Sequence, residues 1–340
     1  MSSPRHELLV NKTTRHPFRV PAADALFVPA VLAILFVYLS ATSEYFLTTG
    51  NIQNILLQAS ILALISFGVT SIIIAGELDL SVGTGMALVS VVTAMVAKSS
   101  GSVLTGLLVG ILVGLLIGVV NGLVVTQLEV PSFVATLGMM VIAQGAALAL
   151  SDGAVIAGLP VGVSQFNDIR ILGFHPLVIA MFVYFAVLLF IEKKTVFGVR
   201  VFAVGGNSKA ARLSGVPVSA VRLGCFLIGG LSVGLAGVAL TLRVESGQPN
   251  SGSLTALMAV AAIVIGGTSI LGGKGSVGRT LAGVALIAVL ENGLDLKGVD
   301  PDMQQVTIGV VFIVAASTDF FRRQLTKRNR LKSALSARTN

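Results

Sequence analysis

Apolar runs of about 20 residues recur along most of this sequence, and they constrain its fold more than any other feature. A helix needs about 20 consecutive apolar residues to cross the hydrocarbon core of a membrane. Hydrophobic residues make up 54% of the 340 residues, and charged residues make up only 11%. The sequence therefore predicts an all-α, polytopic membrane protein.

Hydropathy predicts about ten transmembrane helices, with boundaries defined to within several residues. The second and third spans are separated only by a short glycine-rich segment and the ninth is short, so eight or nine spans also fit the sequence. The ten predicted spans cover residues 24–42, 55–75, 82–98, 102–126, 131–150, 176–191, 218–241, 255–271, 280–294 and 304–320.

The distribution of basic residues predicts the orientation in the membrane, since cytoplasmic segments carry an excess of Lys and Arg. With a cytoplasmic N-terminus, the inner segments hold 19 of the 23 basic residues, and the outer loops hold four basic but seven acidic residues. We expect a basic cytoplasmic tail at 1–23, a transmembrane domain at 24–320 with a coupling loop at 193–217, and a second basic cytoplasmic tail at 321–340.

The net charge of +8 could indicate nucleic-acid binding, but the basic residues lie mostly at the predicted inner surface. There they favour contact with anionic lipid headgroups, and we expect no nucleic-acid partner. The first apolar run could belong to a signal peptide. The segment LSATSEYF that follows it is a poor cleavage site, so we expect this run to remain as the first span.

The segment GELDLSVGTG, residues 76–85, places two carboxylates between two apolar runs. A break between helices leaves the first amides of the next helix without partners, and the membrane interior supplies no water to satisfy them. We expect the Asp79 carboxylate to accept hydrogen bonds from the N–H of Ser81 or Val82, with Ser81 as a second cap. We expect the Glu77→Gln substitution to be mild.

Glycines flank these carboxylates and suit both a turn and close packing. Gly76, Gly83 and Gly85 allow the backbone to turn and neighbouring helices to approach closely. We call Gly76, Asp79, Ser81 and Gly83 the helix-junction motif. We interpret Asp79 as primarily structural, and contact with cargo is the alternative role.

A weak internal repeat connects the two halves of the chain. The tripeptide NGL occurs at 121–123 and 292–294, an offset of 171 residues that also places Asp79 on Asn250. By the parity of the spans, the two copies lie at opposite membrane faces. They predict an inverted repeat of spans 2–5 and 7–10, as in many transporters. A chance match is the alternative.

The residue types that metal sites and enzymes need are scattered. His6, His16 and His175 form no metal-binding pattern, and the single cysteine, Cys225, cannot form an intrachain disulfide. The segment LGGKGS at 271–276 lacks the spacing of a phosphate-binding loop and is interpreted as a tight inner turn. We therefore expect no metal, no cofactor and no ATP hydrolysis in this chain. A membrane-embedded enzyme is disfavoured, and transport would draw on an ion gradient or on a partner.

The longest predicted inner loop contains a short helical core. Ser208 could cap it, the following KAARL is strongly helix-forming, and Gly215 suits a helix end. A helix beneath the membrane could bind a cytoplasmic partner. On spacing alone, a solvated turn is the simpler interpretation.

Five segments in register resemble the permease subunits of ribose-type ABC sugar importers, which are related to branched-chain amino acid permeases. The segments are GELDLSVG, VPSFVATLG, TVFGVRVFAVGGNSKAARLSGVPV, IGGTSILGGKGSVGRTLAG and ENGLDLKGV, and the resemblance extends over residues 50–320. Family members usually have a second glycine where this chain has Glu77. That departure puts a shared role for Glu77 in doubt and leaves Asp79 and Ser81 as the expected functional pair.

The resemblance implies a transport subunit in the bacterial inner membrane that pairs with a second permease chain, identical or different. It also implies a cytoplasmic ATPase with two nucleotide-binding domains, which would bind ATP and Mg²⁺, and a periplasmic sugar-binding protein. The cargo would be a monosaccharide or a similar small polyol. The alternatives are a branched-chain amino acid or another small solute in the same machinery, and a stand-alone ion-coupled carrier.

The same resemblance implies that a coupling helix enters a cleft of the ATPase. It would comprise Gly205, Gly206, Asn207, Ser208, Lys209, Ala210, Ala211, Arg212, Leu213, Ser214 and Gly215. We expect Ala210, Ala211 and Leu213 to face the ATPase with Arg212 beside them, so that Ala211→Glu abolishes transport without loss of protein.

Polar side chains within the spans are candidates for the transport pathway, together with one aromatic residue that could serve as a gate. Hydrogen bonds between helices are an alternative role for the polar ones, and plain packing is the alternative for the aromatic one. The candidates are Asn54, Gln58, Ser66, Phe133, Thr136, Gln144, Asn292 and Gln304.

Overall fold

The structure is a computed structural model, and it describes residues 22–252, 254–314 and 317. The second predicted tail, nearly all of the first, and most of the end of the tenth predicted span lie outside the described residues. Within those residues all regular elements are helices, which confirms the all-α polytopic class.

The helices are numbered in chain order. They are α1 (Ala22–Thr42), α2 (Thr49–Ile74), α3 (Val82–Ser100), α4 (Val103–Thr126), α5 (Ser132–Ser151), α6 (Gly162–Asp168), α7 (Pro176–Lys194), α8 (Val196–Gly206), α9 (Ser208–Leu213), α10 (Val218–Val244), α11 (Thr255–Ile265), α12 (Val277–Leu296) and α13 (Pro301–Val314).

Each of the ten predicted spans coincides with a helix, although the described helices differ in length. Seven of them, α2, α3, α4, α5, α7, α10 and α12, are long and apolar enough to cross a membrane. The eighth predicted span, 255–271, is too long, because α11 ends at Ile265. Two glycines follow it, and Gly267 takes a left-handed φ of +91° that a helix cannot continue. The helices α6 and α8 were not predicted.

The core is built around α2 and α10. In α2, 83% of the most apolar 18-residue window is buried, and this helix contacts α7, α10, α11 and α12. Glycines allow close contact here, since a side chain at Gly68 would collide with Ser232 of α10. Backbone approach of this kind replaces the hydrophobic driving force that is absent between helices in lipid.

The packing partners of the two halves correspond as the predicted repeat requires. Helix α10 packs on α4 and α3, just as α2 packs on α12 and α11, and α2 and α10 pack on each other. The pair α3–α4 corresponds in the same way to α11–α12. Spans 2–4 and 7–9 therefore share one packing scheme, as expected for two halves of a transporter repeat.

The first turns of α3 and α11 meet inside the protein. A side chain at Gly83 would collide with the carbonyl oxygen of Gly252, and its Cβ would lie 3.1 Å from the Ala256 nitrogen. Helix α11 has 11 residues, which gives a length of about 16 Å, roughly half the hydrocarbon thickness. The segment before α11 therefore reaches inward to meet the start of α3.

Candidate functional site

The α2–α3 loop, residues 75–81, forms the centre of the candidate site. Gly76 begins the turn with a left-handed φ of +83°, as the sequence predicts for this glycine. Both acidic side chains point inward, with Glu77 only 7% and Asp79 only 3% exposed. Buried carboxylates must be hydrogen-bonded or paired with a cation, so their partners define what the loop does.

Asp79 organises the start of α3. One oxygen, Oδ1, accepts from the Ser81 N–H at 2.9 Å and from the Ser81 hydroxyl at 2.6 Å. Asn121 of α4 donates to the Ser81 hydroxyl at 2.8 Å and lies 3.4 Å from Oδ2 of Asp79. The predicted hydrogen bond from Ser81 N–H to Asp79 is confirmed. In the sequence, Asn121 stands out only as part of the NGL repeat, and its contact with the motif was not foreseen.

The prediction that Ser81 supplies a second cap is wrong. Ser81 already has helical dihedral angles, with φ −76° and ψ −14°, and its side chain makes no capping hydrogen bond. A capping serine normally keeps extended dihedral angles so that its oxygen can reach the following amides. The hydroxyl of Ser81 instead donates to Asp79.

The first turns of α5 satisfy two further amides of the loop. The Leu78 N–H donates to the Ser132 hydroxyl, and the Leu80 N–H donates to the Thr136 hydroxyl, each at 3.2 Å. Thr136 is fully buried. Thr136, a candidate pathway residue, thus accepts a hydrogen bond from a backbone N–H of the loop. The membrane interior has no water that could accept it instead.

An ion pair connects the loop to α10. Glu77 Oε1 lies 2.6 Å from Arg222 Nε, with the glutamate side chain 9% and the arginine side chain 28% exposed. In the sequence, Arg222 counts only as an inner positive charge, and Glu77 has no evident partner. No local pattern identifies this pair, because the two residues lie on elements far apart in the chain.

A polar cleft of about 300 Å³ adjoins this ion pair. Its walls come from the α2–α3 loop, the α4–α5 connection, α9 and the start of α10. Glu77, Glu129, Arg212 and Arg222 are its charged lining residues. The cleft therefore brings a residue of the predicted coupling helix, Arg212, beside the helix-junction motif.

The predicted coupling region forms two helices, α8 and α9. Asn207 caps α9, because its side-chain oxygen accepts from the Ala210 N–H at 3.0 Å, so the prediction of Ser208 as the cap is wrong. The predicted end at Gly215 is confirmed by its φ of +81°. Val216 N–H and Gly215 N–H donate to the carbonyl oxygens of residues 211 and 212, the pattern of a Schellman motif.

The exposed face of α9 differs from the predicted one. Ala211 is only 6% exposed and packs into a buried cluster with residues of α8 and α10. Leu213 is 91% exposed, and Lys209, Ala210 and Arg212 are also exposed. Ala211→Glu would therefore place a charge inside the protein itself, and the expectation that it leaves the protein intact does not fit the structure.

Backbone contacts join the coupling region to α2 at what we call the inner glycine junction, formed by Gly76, Gly205, Gly206, Gly272 and Gly273. The Gly273 N–H donates to the carbonyl oxygen of Ile74, the last residue of α2, at 2.8 Å. Side chains at positions 205 or 272 would collide with backbone atoms of the neighbouring segments. Three distant segments thus meet without side chains between them.

The pathway candidates divide into groups by position. On α5, Gln144 donates to the Pro249 carbonyl oxygen at 3.1 Å, while Phe133 is 49% exposed and Thr136 supports the α2–α3 loop. Within α2, the fully buried Ser66 hydroxyl donates to the Leu62 carbonyl oxygen, and Asn54 is exposed. At the predicted outer ends of α2, α12 and α13, polar side chains form pairs: Gln58 with Glu291, Asn292 with Asn51, and Gln304 with Asp295.

Among the residues that the structure describes, no group of three or more His, Cys, Asp or Glu side chains is placed to hold a metal ion. The site consists of hydrogen bonds, one ion pair and backbone contacts. Such an arrangement positions helices relative to one another.

The sequence of this chain matches known proteins over most of its length. A family model described as the branched-chain amino acid transport system / permease component matches residues 51–316. The chain is 41% identical over 290 residues to the ribose import permease protein RbsC of Bacillus subtilis, covering 85% of this chain and 90% of that protein.

Two further relatives extend the comparison. The L-arabinose ABC transporter permease protein AraH of Azospirillum brasilense is 33% identical over 86% of both chains. The probable ABC transporter permease protein YphD of Escherichia coli is 38% identical, covering 88% of this chain and 90% of that protein. No solved structure matches the chain. With its apolar helices, its glycine-rich helix junction and matches over most of its length, the chain belongs to the permease-component family of the branched-chain amino acid transport systems.

Proposed function

We propose that this chain is the permease subunit of an ATP-driven importer that moves a monosaccharide or similar small polyol across the bacterial inner membrane. One observation carries the proposal: a relative named for ribose import and one named as an L-arabinose ABC transporter match 85% and 86% of the chain at 41% and 33% identity. Members with those names favour a sugar over the amino acids in the family description.

The importer requires partners. We propose a second permease chain, a tandem-domain cytoplasmic ATPase that binds ATP and Mg²⁺, and a periplasmic sugar-binding protein. The exposed surface of α9 supports the ATPase contact, because Leu213 is 91% exposed at the predicted inner face. Leu213 is thus free to be covered by a partner, and we propose that the ATPase covers it.

Force from the ATPase would enter through α9 and leave through the inner glycine junction. Gly273 binds the end of α2 at 2.8 Å, and a side chain at Gly205 would collide with the same Ile74 carbonyl oxygen. A displacement of α8 and α9 therefore acts on the α2–α3 loop without passing through flexible side chains. Close-packed backbone transmits such displacement as a rigid contact.

The buried charges would keep the loop and its neighbours moving as one unit. The Glu77–Arg222 pair fastens the loop to α10, and the Asp79 carboxylate fastens it to α3 and, through Asn121, to α4. In this role Asp79 is structural, and direct contact with cargo is the competing role. Substitutions of Asp79 by alanine and by asparagine separate the two roles.

Reconstituted transport tests the proposal. The permease, its ATPase and its binding protein are placed in proteoliposomes, and uptake of labelled ribose, L-arabinose and leucine is measured with and without ATP at the ATPase side. We expect uptake of a monosaccharide that depends on ATP and on the binding protein.

Three results would overturn parts of this assignment. ATP-dependent uptake of leucine alone would keep the machinery and change the cargo. Uptake by the permease alone, driven by an ion gradient without ATP, would identify a stand-alone carrier. ATP hydrolysis by the purified permease would contradict the placement of the ATPase on a partner chain.

A further inference from the structure

The loop between α11 and α12, residues 266–276, presents two apolar side chains at the tip of a tight turn. The Gly272 N–H donates to the Ser269 carbonyl oxygen at 3.0 Å, which closes a four-residue turn with Ile270 and Leu271 at its centre. Leu271 is 81% exposed and Ile270 is 44% exposed. Turn centres usually carry Gly, Pro, Asn, Asp or Ser, so this pair needs an explanation.

The turn is held firmly. The Ser269 N–H also donates to the Lys274 carbonyl oxygen at 2.9 Å. Gly272 and Gly273 both have left-handed φ values, +80° and +70°. The turn is thus a fixed projection, and the exposure of Leu271 follows from a well-bonded backbone.

The position of the turn points to a protein partner. Its base belongs to the inner glycine junction, where Gly273 binds the end of α2 and lies against Gly206, two residues before α9 begins. Because α2 is the most buried long helix, a projection from its end emerges beneath the centre of the helix bundle. Lipid surrounds the rim of a bundle, so this location favours a cytoplasmic protein over a lipid contact.

We infer that the 269–272 turn is a second docking element for the ATPase, beside α9. This inference rests on the proposed function, because it assumes that the ATPase binds this face. Leu213 on α9 and Leu271 on the turn are the two most exposed leucines of the predicted inner surface within the described residues, at 91% and 81%. The inner glycine junction connects the segment that carries Leu213 with the turn that carries Leu271. The ATPase would therefore contact the protein on both sides of the end of α2.

Binding measurements test the inference. The permease in nanodiscs is titrated with its separately purified ATPase subunit, and the Kd is compared for the wild type, Leu271→Asp and Leu213→Asp. The matched control is Leu172→Asp, since Leu172 is 93% exposed on the predicted outer side. We expect each inner variant to raise the Kd roughly tenfold or more, as for a central apolar contact, and the control to leave it unchanged.

The outcomes separate this inference from the proposed function. If the wild-type permease binds no ATPase, the proposed function fails and the inference fails with it. If Leu213→Asp weakens binding and Leu271→Asp does not, the proposed function stands and the second docking element is overturned.

A crosslinking experiment covers a variant that folds poorly. Leu271→Cys, in a Cys225→Ser background, is labelled with a photoreactive maleimide and irradiated with the ATPase present. Crosslinking to the ATPase supports the inference. Crosslinking to lipid alone, in the assembled complex, would overturn it.

Discussion

Two helix junctions, α2–α3 on the predicted inner side and α10–α11 on the predicted outer side, occupy corresponding places in the predicted repeat but are held together differently. At the inner junction, residues 75–81, two buried carboxylates bind Ser81, Asn121 and Arg222. At the junction on the predicted outer side, residues 245–252 and 254, backbone and neutral side chains join Ile156 with Gly247, Gln248 with Ser90, and Gln144 with Pro249. Its one acidic side chain, Glu245, is exposed and accepts a hydrogen bond from Asn167 at 3.0 Å. The two halves therefore share their helix packing, while each junction has its own polar chemistry.

The difference indicates where rigidity is needed. The sequence offset pairs Asp79 with Asn250, yet Asp79 is 3% exposed and Asn250 is exposed. A buried, hydrogen-bonded charge resists separation from its partners more strongly than neutral pairs do, because an unpaired charge in a low-dielectric interior is costly. Two buried carboxylates thus hold the junction on the side where the proposed ATPase pushes, whereas the acidic residue of the opposite junction, Glu245, is exposed.

Cysteine labelling from one side of the membrane, which tests the assignment of the inner and outer sides, should give the largest effect. In a Cys225→Ser background, a cysteine at Asn250 should react with an impermeant maleimide from outside, and a cysteine at Leu213 should react only after the inner face is opened. Both positions are exposed, so access alone decides the result. The reverse labelling pattern would exchange the two junctions and place the buried charges away from the ATPase.

The ion pair gives the next largest effect. Arg222→Met should lower the free energy of unfolding by about 3 kcal/mol, because it leaves the 9% exposed Glu77 carboxylate unpaired. Glu77→Gln should cost only about 1 kcal/mol, since the Arg222 side chain is 28% exposed and more of its charge stays within reach of water than that of Glu77. The sole cysteine, Cys225, is fully buried, so its reaction with a thiol-reactive fluorophore reports unfolding.

The matched control for this pair is Arg200→Met, which removes an exposed arginine of α8. It should leave the unfolding transition unchanged. Equal losses from Arg222→Met and Glu77→Gln would contradict the asymmetry in burial on which this prediction rests.

Substitutions of Asp79 distinguish a structural role of this residue from direct contact with the cargo. Asp79→Ala should cost about 2 kcal/mol, because it removes the acceptor of the Ser81 N–H and leaves the Ser81 hydroxyl without its partner. Asp79→Asn keeps one acceptor oxygen and should retain most assembly and some transport. Yield, thermal unfolding and uptake are measured together. A stable Asp79→Ala protein that stimulates the ATPase but moves no sugar would assign Asp79 to the transport path.

The outer amide pair should give the smallest effect. Asn51 and Asn292 exchange hydrogen bonds of 3.0 and 2.7 Å. Asn292→Ala should cost about 0.6 kcal/mol, the average for polar contacts between membrane helices. Adding Asn51→Ala should cost little more, and a double-mutant cycle measures the coupling. A coupling energy as large as that of Glu77 and Arg222 would erase the contrast between the two ends of the bundle.

The long helices were predictable because each repeats apolar residues over a membrane thickness, and the turn at Gly76 was predictable because a broken helix needs such a residue. Which side of α9 is buried and which is exposed was not predictable. A helix of six residues has little periodicity, and the burial of Ala211 depends on α8 and α10. Nor could the sequence pair Glu77 with Arg222, because only the tertiary fold brings the loop to the start of α10.

The short length of α11 has a consequence for how the chain is made. Its 11 residues are too few to cross the bilayer alone, and the glycine-rich loop after Ile265 cannot extend it. During synthesis, α11 would remain at the insertion machinery until α12 has been translated. The two helices would then enter the lipid as a hairpin. A nascent chain halted before α12 emerges should leave α11 outside the hydrocarbon, so α11 is inserted only after residues 277–296 have been translated.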